Sequence, residues 1–250
     1  MNHWRSECGR VDLYLGDCLD ILPPLCAKAA PRIMVTDPPY SSGGFQESGK
    51  SAGGIGTRAG DAIESDTMSS EGYVHMIRRI VRASNSHAVY IFTDWRMWGF
   101  TREAAELGGH RVRSMIVWAK PSGGMGARWT PQHELILWAA RVRSASGKGS
   151  SGNVLSFGRS GNTQHPTEKP LELMTKIIAT AEPGTVIDPF MGSGTTGVAA
   201  IRQDRKFIGI ELDPVHFATA VERIRTELDA QLFTPKPAQS GLFTPVEVTP

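Results

Sequence analysis

The chain has 250 residues, 40% of them apolar and 21% charged, with a formal net charge of +2 at pH 7. That length and composition suit one large α/β domain with a well-buried core, and they exclude a disordered or fibrous chain. The mild net charge does not by itself announce a polyanion partner. Local groups (Arg78, Arg79 and Arg82; Arg111 and Arg113; Arg141, Arg143 and Lys148) are the basic clusters available for one. No stretch approaches the ~20 apolar residues of a membrane span, and the polar start Met1–Glu7 predicts no signal peptide. Cys8, Cys18 and Cys26 show no metal spacing and no even pairing, which points to a reducing cytoplasm and no metal site.

Val11–Leu15 alternates as a strand does, ends at Gly16-Asp17-Cys18, and leads into a helical pattern to about Leu25. Ile33-Met34-Val35 is a short apolar run of the buried, parallel-sheet kind, closed by Thr36-Asp37-Pro38-Pro39-Tyr40. The two prolines stop the strand, fix two φ angles and remove two backbone donors. A carboxylate, the carbonyls of a rigid turn and an aromatic ring remain. That set of acceptors with a stacking surface, and no nucleophile, suits an amine carried on a flat heterocycle.

Residues 41–66 follow, with Gly43, Gly44, Gly49, Gly53, Gly54, Gly56 and Gly60. So much glycine resists ordering, and the segment reads as a mobile loop beside the site, with Lys50 and Arg58 as its candidates for contact with a polyanion. Gly44–Ser51 also matches the Walker A pattern letter for letter. A working phosphate loop needs a strand immediately before it and a helix opening at its Lys-Ser, and neither is expected here, so a P-loop nucleotide triphosphatase is a remote alternative.

Met68 to about Ala83 predicts an amphipathic helix with Tyr73, Met76, Ile77 and Ile80 on one face. A strand over His87–Phe92, a helix over Trp95–Leu107 closed by Gly108-Gly109, and strands over Arg111–Ala119 and His133–Ala140 come next, with Glu134 expected to point out of the sheet. Pro170 can open a helix to about Thr180. Val186-Ile187-Asp188 is a strand running into Pro189-Phe190-Met191-Gly192-Ser193-Gly194, where a helix is expected to open with Thr195 or Thr196 as its cap. A Gly-x-Gly turn between strand and helix is where open α/β sheets bind cofactors. About 20 residues on, Phe207–Ile210 is the next strand, and Glu211 at its end suits a ribose diol. Pro214 opens a last helix to about Leu228, and 231–250 reads as a disordered tail. The strand–helix alternation predicts a mostly parallel, doubly wound sheet in a single domain over 1–230.

Asp37-Pro38-Pro39-Tyr40 together with Asp188-Pro189-Phe190-Met191-Gly192-Ser193-Gly194-Thr195-Thr196 resembles the S-adenosylmethionine-dependent amino-methyltransferases of DNA. His165-Pro166-Thr167-Glu168-Lys169-Pro170 is similar to a third segment of that family. The acceptor motif precedes the glycine motif, as in the permuted β class, and the resemblance runs from about Val11 to about Leu228. It implies a Rossmann-like sheet in circularly permuted order, with a catalytic half over 11–140 and a cofactor-binding half over 165–230. Target recognition is implied between them, over 122–164, where Arg128 and Trp129 are the candidates for DNA contact.

By the same resemblance Asp37, Pro38, Pro39 and Tyr40 are catalytic. S-adenosylmethionine falls to Asp17, Cys18, His165, Thr167, Lys169, Asp188, Phe190, Gly192, Gly194, Thr195, Thr196 and Glu211, with Asp17 near the adenine and Lys169 near the methionine end. An Asp heading the motif goes with N6 of adenine in that family, and a Ser with N4 of cytosine, the alternative. Ring-carbon methylation needs a cysteine nucleophile after a proline, and no cysteine here follows one. A catalytically silent DNA-binding module is opposed by the intact motif residues. The partners implied are DNA and no membrane, for a monomer or homodimer. In the tail, Gln239–Phe243 resembles the peptides by which bacterial replication proteins dock on the sliding clamp.

Overall fold

A computed structural model describes residues 3–28, 31–40, 68–123, 128–141, 151–158 and 169–233. Nine strands among them form one sheet: β1 (His3–Arg5), β2 (Val11–Leu15), β3 (Ile33–Thr36), β4 (Ala88–Thr93), β5 (Arg111–Ala119), β6 (His133–Ala140), β7 (Val154–Ser156), β8 (Val186–Asp188) and β9 (Phe207–Glu211). Their order across the sheet is β1-β2-β9-β8-β3-β4-β6-β5-β7. The run from β2 to β4 is parallel throughout, and β6 lies antiparallel between β4 and β5. β1 is antiparallel at one edge and β7 parallel at the other.

Six helices among the described residues cover the two faces: α1 (Cys18–Lys28), α2 (Ser70–Ser84), α3 (Trp98–Leu107), α4 (Leu171–Thr180), α5 (Thr195–Arg202) and α6 (Pro214–Phe233). The pleat assigns the faces, because neighbouring side chains of a strand point opposite ways. In β3, Ile33 and Val35 pack with Leu173 and Ile177 of α4, Val198 of α5 and Ile224 of α6. Met34, between them, packs with Leu22 of α1, Tyr73 and Ile77 of α2 and Ala104 of α3. β4 divides the same way, Tyr90 and Phe92 to one layer and Val89 and Ile91 to the other. Both faces are apolar, which is why these strands read as unbroken hydrophobic runs. This is the α/β architecture expected from the alternation of elements.

Several boundaries differ from the sequence reading. α3 starts at Trp98 rather than Trp95, because the Asp94 carboxylate accepts from the Met97 N–H at 2.8 Å and turns the chain first. α6 continues past Leu228 to Phe233, so Gln231, Leu232 and Phe233 belong to the helix and not to a tail. Its last turn is held where Arg10 donates to Gln231 at 2.9 Å and Gln231 donates to the Ile201 carbonyl at 2.8 Å. β1 and β7, three residues each, are too short to show a period. β7 lies inside the segment expected to recognise the target. It is fastened there by the Trp118 indole N–H, which donates to the Phe157 carbonyl at 2.9 Å.

Candidate functional site

The parallel strands all end at one edge of the sheet, and the candidate residues collect there. β2 and β9 end side by side, with Leu15 opposite Glu211, and the Gly16 N–H donates to the Glu211 carbonyl at 2.8 Å. Asp17 follows at once; its carboxylate caps α1 by accepting from the Leu19 N–H at 2.8 Å, and the residue is exposed. Glu211 accepts from the N–H of Gly192 and from that of Asp213, each at 2.8 Å. The carboxylate of β9 thus fixes the glycine turn that follows β8.

That turn is a backbone device. Gly192 and Gly194 have φ of 52° and 86°, in the left-handed region that favours glycine. A Cβ on Gly194 would stand 2.9 Å from that of Ala220, whereas one on Gly192 would meet nothing within 4 Å, so open space faces the backbone there. The N-cap of α5 is Gly194 itself, with no side-chain cap. Neither Thr195 nor Thr196 caps the helix as expected, because both hydroxyls are directed elsewhere. Thr196 donates to Asp188 at 2.6 Å, and Thr195 accepts from Arg223 at 3.3 Å.

Asp188 is buried, and its carboxylate joins the two halves of the site. It accepts from the Thr36 hydroxyl at 2.8 Å, from Thr196, and from the Phe190 N–H at 3.0 Å. Burial pushes its carboxyl up to about 7 against the pull of those three donors. Asp188 therefore braces the end of β3 against the start of α5. Cys18 is likewise buried, and burial and the nearby Asp17 push its thiol up to about 12. Phe190 is half-buried beside the turn.

Beyond Thr36 the chain turns through Asp37, Pro38, Pro39 and Tyr40. The Tyr40 hydroxyl donates to Asp37 Oδ1 at 2.6 Å, and the Lys169 ammonium donates to Asp37 Oδ2. Lys169 also stands 3.4 Å from Glu134 Oε2 and 5.3 Å from the centre of the Phe92 ring. Lys120 in turn donates to Glu134 Oε1 at 2.5 Å and lies over the Trp118 ring. Two carboxylates and two ammonium groups, from four separate parts of the chain, make one partly buried, charge-balanced row. Burial alone would discharge Lys169; instead Asp37 and Glu134 hold its ammonium above its usual range. Lys169 and Lys120 hold Glu134 below its usual range against the same burial. Tyr40 is pushed well above its ordinary value by burial and then by Asp37 and Glu134, so its hydroxyl keeps its proton and donates.

Asp37, Tyr40, Lys169, Asp188, Gly192, Gly194, Thr196 and Glu211 are thus gathered at one edge. Glu134 and Lys120 belong with them, although the sequence offered neither as a site residue. Glu134, expected to point out of the sheet, faces Lys169 there. The available signal was a carboxylate one residue into an otherwise apolar strand, in the motif His133-Glu134-Leu135-Ile136-Leu137. Arg128 and Trp129 are exposed, Trp129 at 92%, on the connection between β5 and β6 at this same edge. Lys50, Arg58, His165, Thr167, the Walker-like Gly44–Ser51 and Gln239–Phe243 lie outside the described residues. No metal-binding cluster occurs among the described residues, and no helix among them is long and apolar enough to cross a membrane.

The DNA methylase family profile (N6_N4_Mtase) matches residues 143–222. The protein named "Putative methylase YubD" of Escherichia coli (strain K12) is 31% identical over 200 residues, covering 79% of this chain and 82% of that one. A solved complex of M1.HpyAVI with SAM superposes with a TM-score of 0.65 at 26% identity, over 86% of this chain and 98% of the other. PvuII DNA methyltransferase, described as cytosine-N4-specific, shares the fold with a TM-score of 0.62 at 19% identity, over 90% of this chain and 91% of its own.

Proposed function

The chain belongs to the DNA methylase family, and we propose that it transfers a methyl group from S-adenosylmethionine to the N6 exocyclic amine of adenine in DNA. The observation that carries this reading is the bracing of Asp37 against the glycine turn. Thr36, one residue before Asp37, is tied through the Asp188 carboxylate to Thr196, two residues after Gly194. An acceptor for an amine and a cradle for a cofactor are thereby held in fixed register.

The donor set fits S-adenosylmethionine. The carboxylates of Glu211 and Asp17, at adjoining strand ends, suit a ribose diol and an adenine amine, and the open space over Gly192 admits a ligand to the backbone. Bound there, S-adenosylmethionine would supply a sulfonium-activated methyl group and depart as a neutral thioether. The residues of the chain supply the rest. An aromatic amine is a poor nucleophile because its lone pair is spread into the ring. Asp37 and the Pro38 carbonyl accept hydrogen bonds from it, localise the lone pair and aim it. As the nitrogen becomes positive they bind it more strongly, so the transition state gains over the ground state. The surplus proton then leaves along the hydrogen bond to Asp37.

Tyr40, tethered by its hydroxyl to Asp37, offers its ring to a base flipped out of the duplex. Arg128 and Trp129 meet the DNA beside it. The reading includes the permuted motif order, with the acceptor ahead of the glycine turn in the chain, and a monomer or homodimer acting in the cytoplasm. N4 of cytosine is the alternative substrate, because the same acceptors serve any exocyclic amine. Transfer of tritium from labelled S-adenosylmethionine to DNA tests the assignment together with calorimetry of cofactor binding. Asp37→Ala is expected to abolish transfer and leave the cofactor Kd within a few fold; wild-type turnover in that variant would refute the mechanism.

A further inference from the structure

In the free molecule both oxygens of Asp37 are in use, Oδ1 by the Tyr40 hydroxyl and Oδ2 by the Lys169 ammonium. An incoming amine must share one of them, and an oxygen already held by an ammonium is the weaker acceptor. Lys169 has somewhere else to go: Glu134 Oε2 is buried, lies 3.4 Å from the ammonium, and is met by no close, well-aligned donor. The other oxygen of Glu134 is pinned by Lys120 at 2.5 Å, so the carboxylate cannot swing away. The distance from 3.4 Å to an ordinary charge-assisted hydrogen bond is about half an ångström. The Lys169 side chain, 11% exposed, has few other directions open.

We propose that Glu134 is a positioning residue that takes Lys169 from Asp37 when the target amine enters. This rests on the reading of Asp37 as the acceptor of that amine. The ammonium masks Asp37 while no base is present and keeps a partly buried carboxylate paired. On entry of the amine it shifts to Glu134 Oε2, and Asp37 Oδ2 is freed. The shift also moves a full positive charge off the oxygen that must stabilise a nitrogen becoming positive, where an ammonium would oppose the reaction. Lys120 holds Glu134 in place to receive it. No bond is made or broken and no proton changes owner; one ammonium changes its acceptor.

Single-turnover methyl transfer to DNA, at saturating S-adenosylmethionine, tests this with wild type, Glu134→Gln and the double variant Glu134→Gln with Lys169→Met. Glu134→Gln leaves Lys169 on Asp37, so the transfer rate should fall on the order of tenfold or more while the cofactor Kd stays within about twofold. In the double variant the ammonium is gone and the charges of Asp37 and Lys120 still balance. Its rate should exceed that of Glu134→Gln, a rescue that loss of a merely structural contact would not give. A Glu134→Gln rate equal to wild type, or a double variant no faster than Glu134→Gln, would overturn the inference and leave the assigned function standing. A wild-type protein that methylates no DNA would overturn the assigned function and this inference with it. Should Glu134→Gln fail to fold, Lys120→Met releases Glu134 from the other side; slower transfer at unchanged cofactor affinity is expected, and an unchanged rate would end the idea.

Discussion

Replacing Asp188 by Asn should change how stability depends on pH, in a direction that the geometry fixes. Burial raises this carboxyl from an ordinary 3.8 to about 7. Between those values the native state holds a proton that the unfolded chain has released, so stability falls as pH rises through the interval. A shift of that size corresponds to about 4 kcal/mol lost between pH 4 and pH 8. Asn mimics the protonated form. Its oxygen still accepts from Thr36 and the Phe190 N–H, and its amide can donate to the Thr196 hydroxyl, which then turns to accept. At pH 4 the variant should therefore lie within about 1 kcal/mol of wild type. Toward pH 8 it should gain on wild type progressively, by up to about 4 kcal/mol. Urea unfolding of both proteins at a series of pH values measures the difference directly. Parallel curves would refute the argument, since they would mean that Asp188 titrates in the native state as it does in the unfolded chain.

Glu211→Ala removes the acceptor of the Gly192 and Asp213 N–H groups and the proposed partner of the ribose; the cofactor Kd should rise roughly tenfold or more by calorimetry. Gly194→Ala forces a side chain into a φ of 86° and against Ala220, so urea unfolding should show a loss of about 1–3 kcal/mol. Trp129→Ala, at a position 92% exposed, should leave stability within about 0.5 kcal/mol. The same substitution should weaken binding of a DNA duplex in fluorescence anisotropy without moving the cofactor Kd.

Much of the architecture was legible because the strands are buried on both faces. Ile33–Val35, Ala88–Phe92 and Val186–Ile187 stand out as apolar runs, and Gly, Pro and Asp punctuate their ends. The acceptor motif and the glycine turn were legible for a related reason, since each is contiguous in the chain. What was not legible depends on contacts between distant segments. Glu134 appears as one charge in an apolar strand, and only the antiparallel placement of β6 beside β4 brings its first residues to the carboxyl ends of β3 and β4. Lys120 appears as a break before a proline, and its partner is 14 residues away. Thr195 and Thr196 have the composition of a helix cap, but a buried carboxylate and Arg223 outcompete the backbone for their hydroxyls. The extension of α6 to Phe233 rests on Arg10 and Ile201, which lie far apart in the sequence.

The most direct test is to identify the modified base. DNA incubated with the protein and S-adenosylmethionine is digested to nucleosides and resolved by mass spectrometry, with Asp37→Ala in parallel. The account predicts N6-methyldeoxyadenosine from the wild type and none from the variant. N4-methyldeoxycytidine in its place would contradict the assignment to adenine, and no methylated nucleoside from varied DNA substrates would contradict the assignment as a DNA amino-methyltransferase.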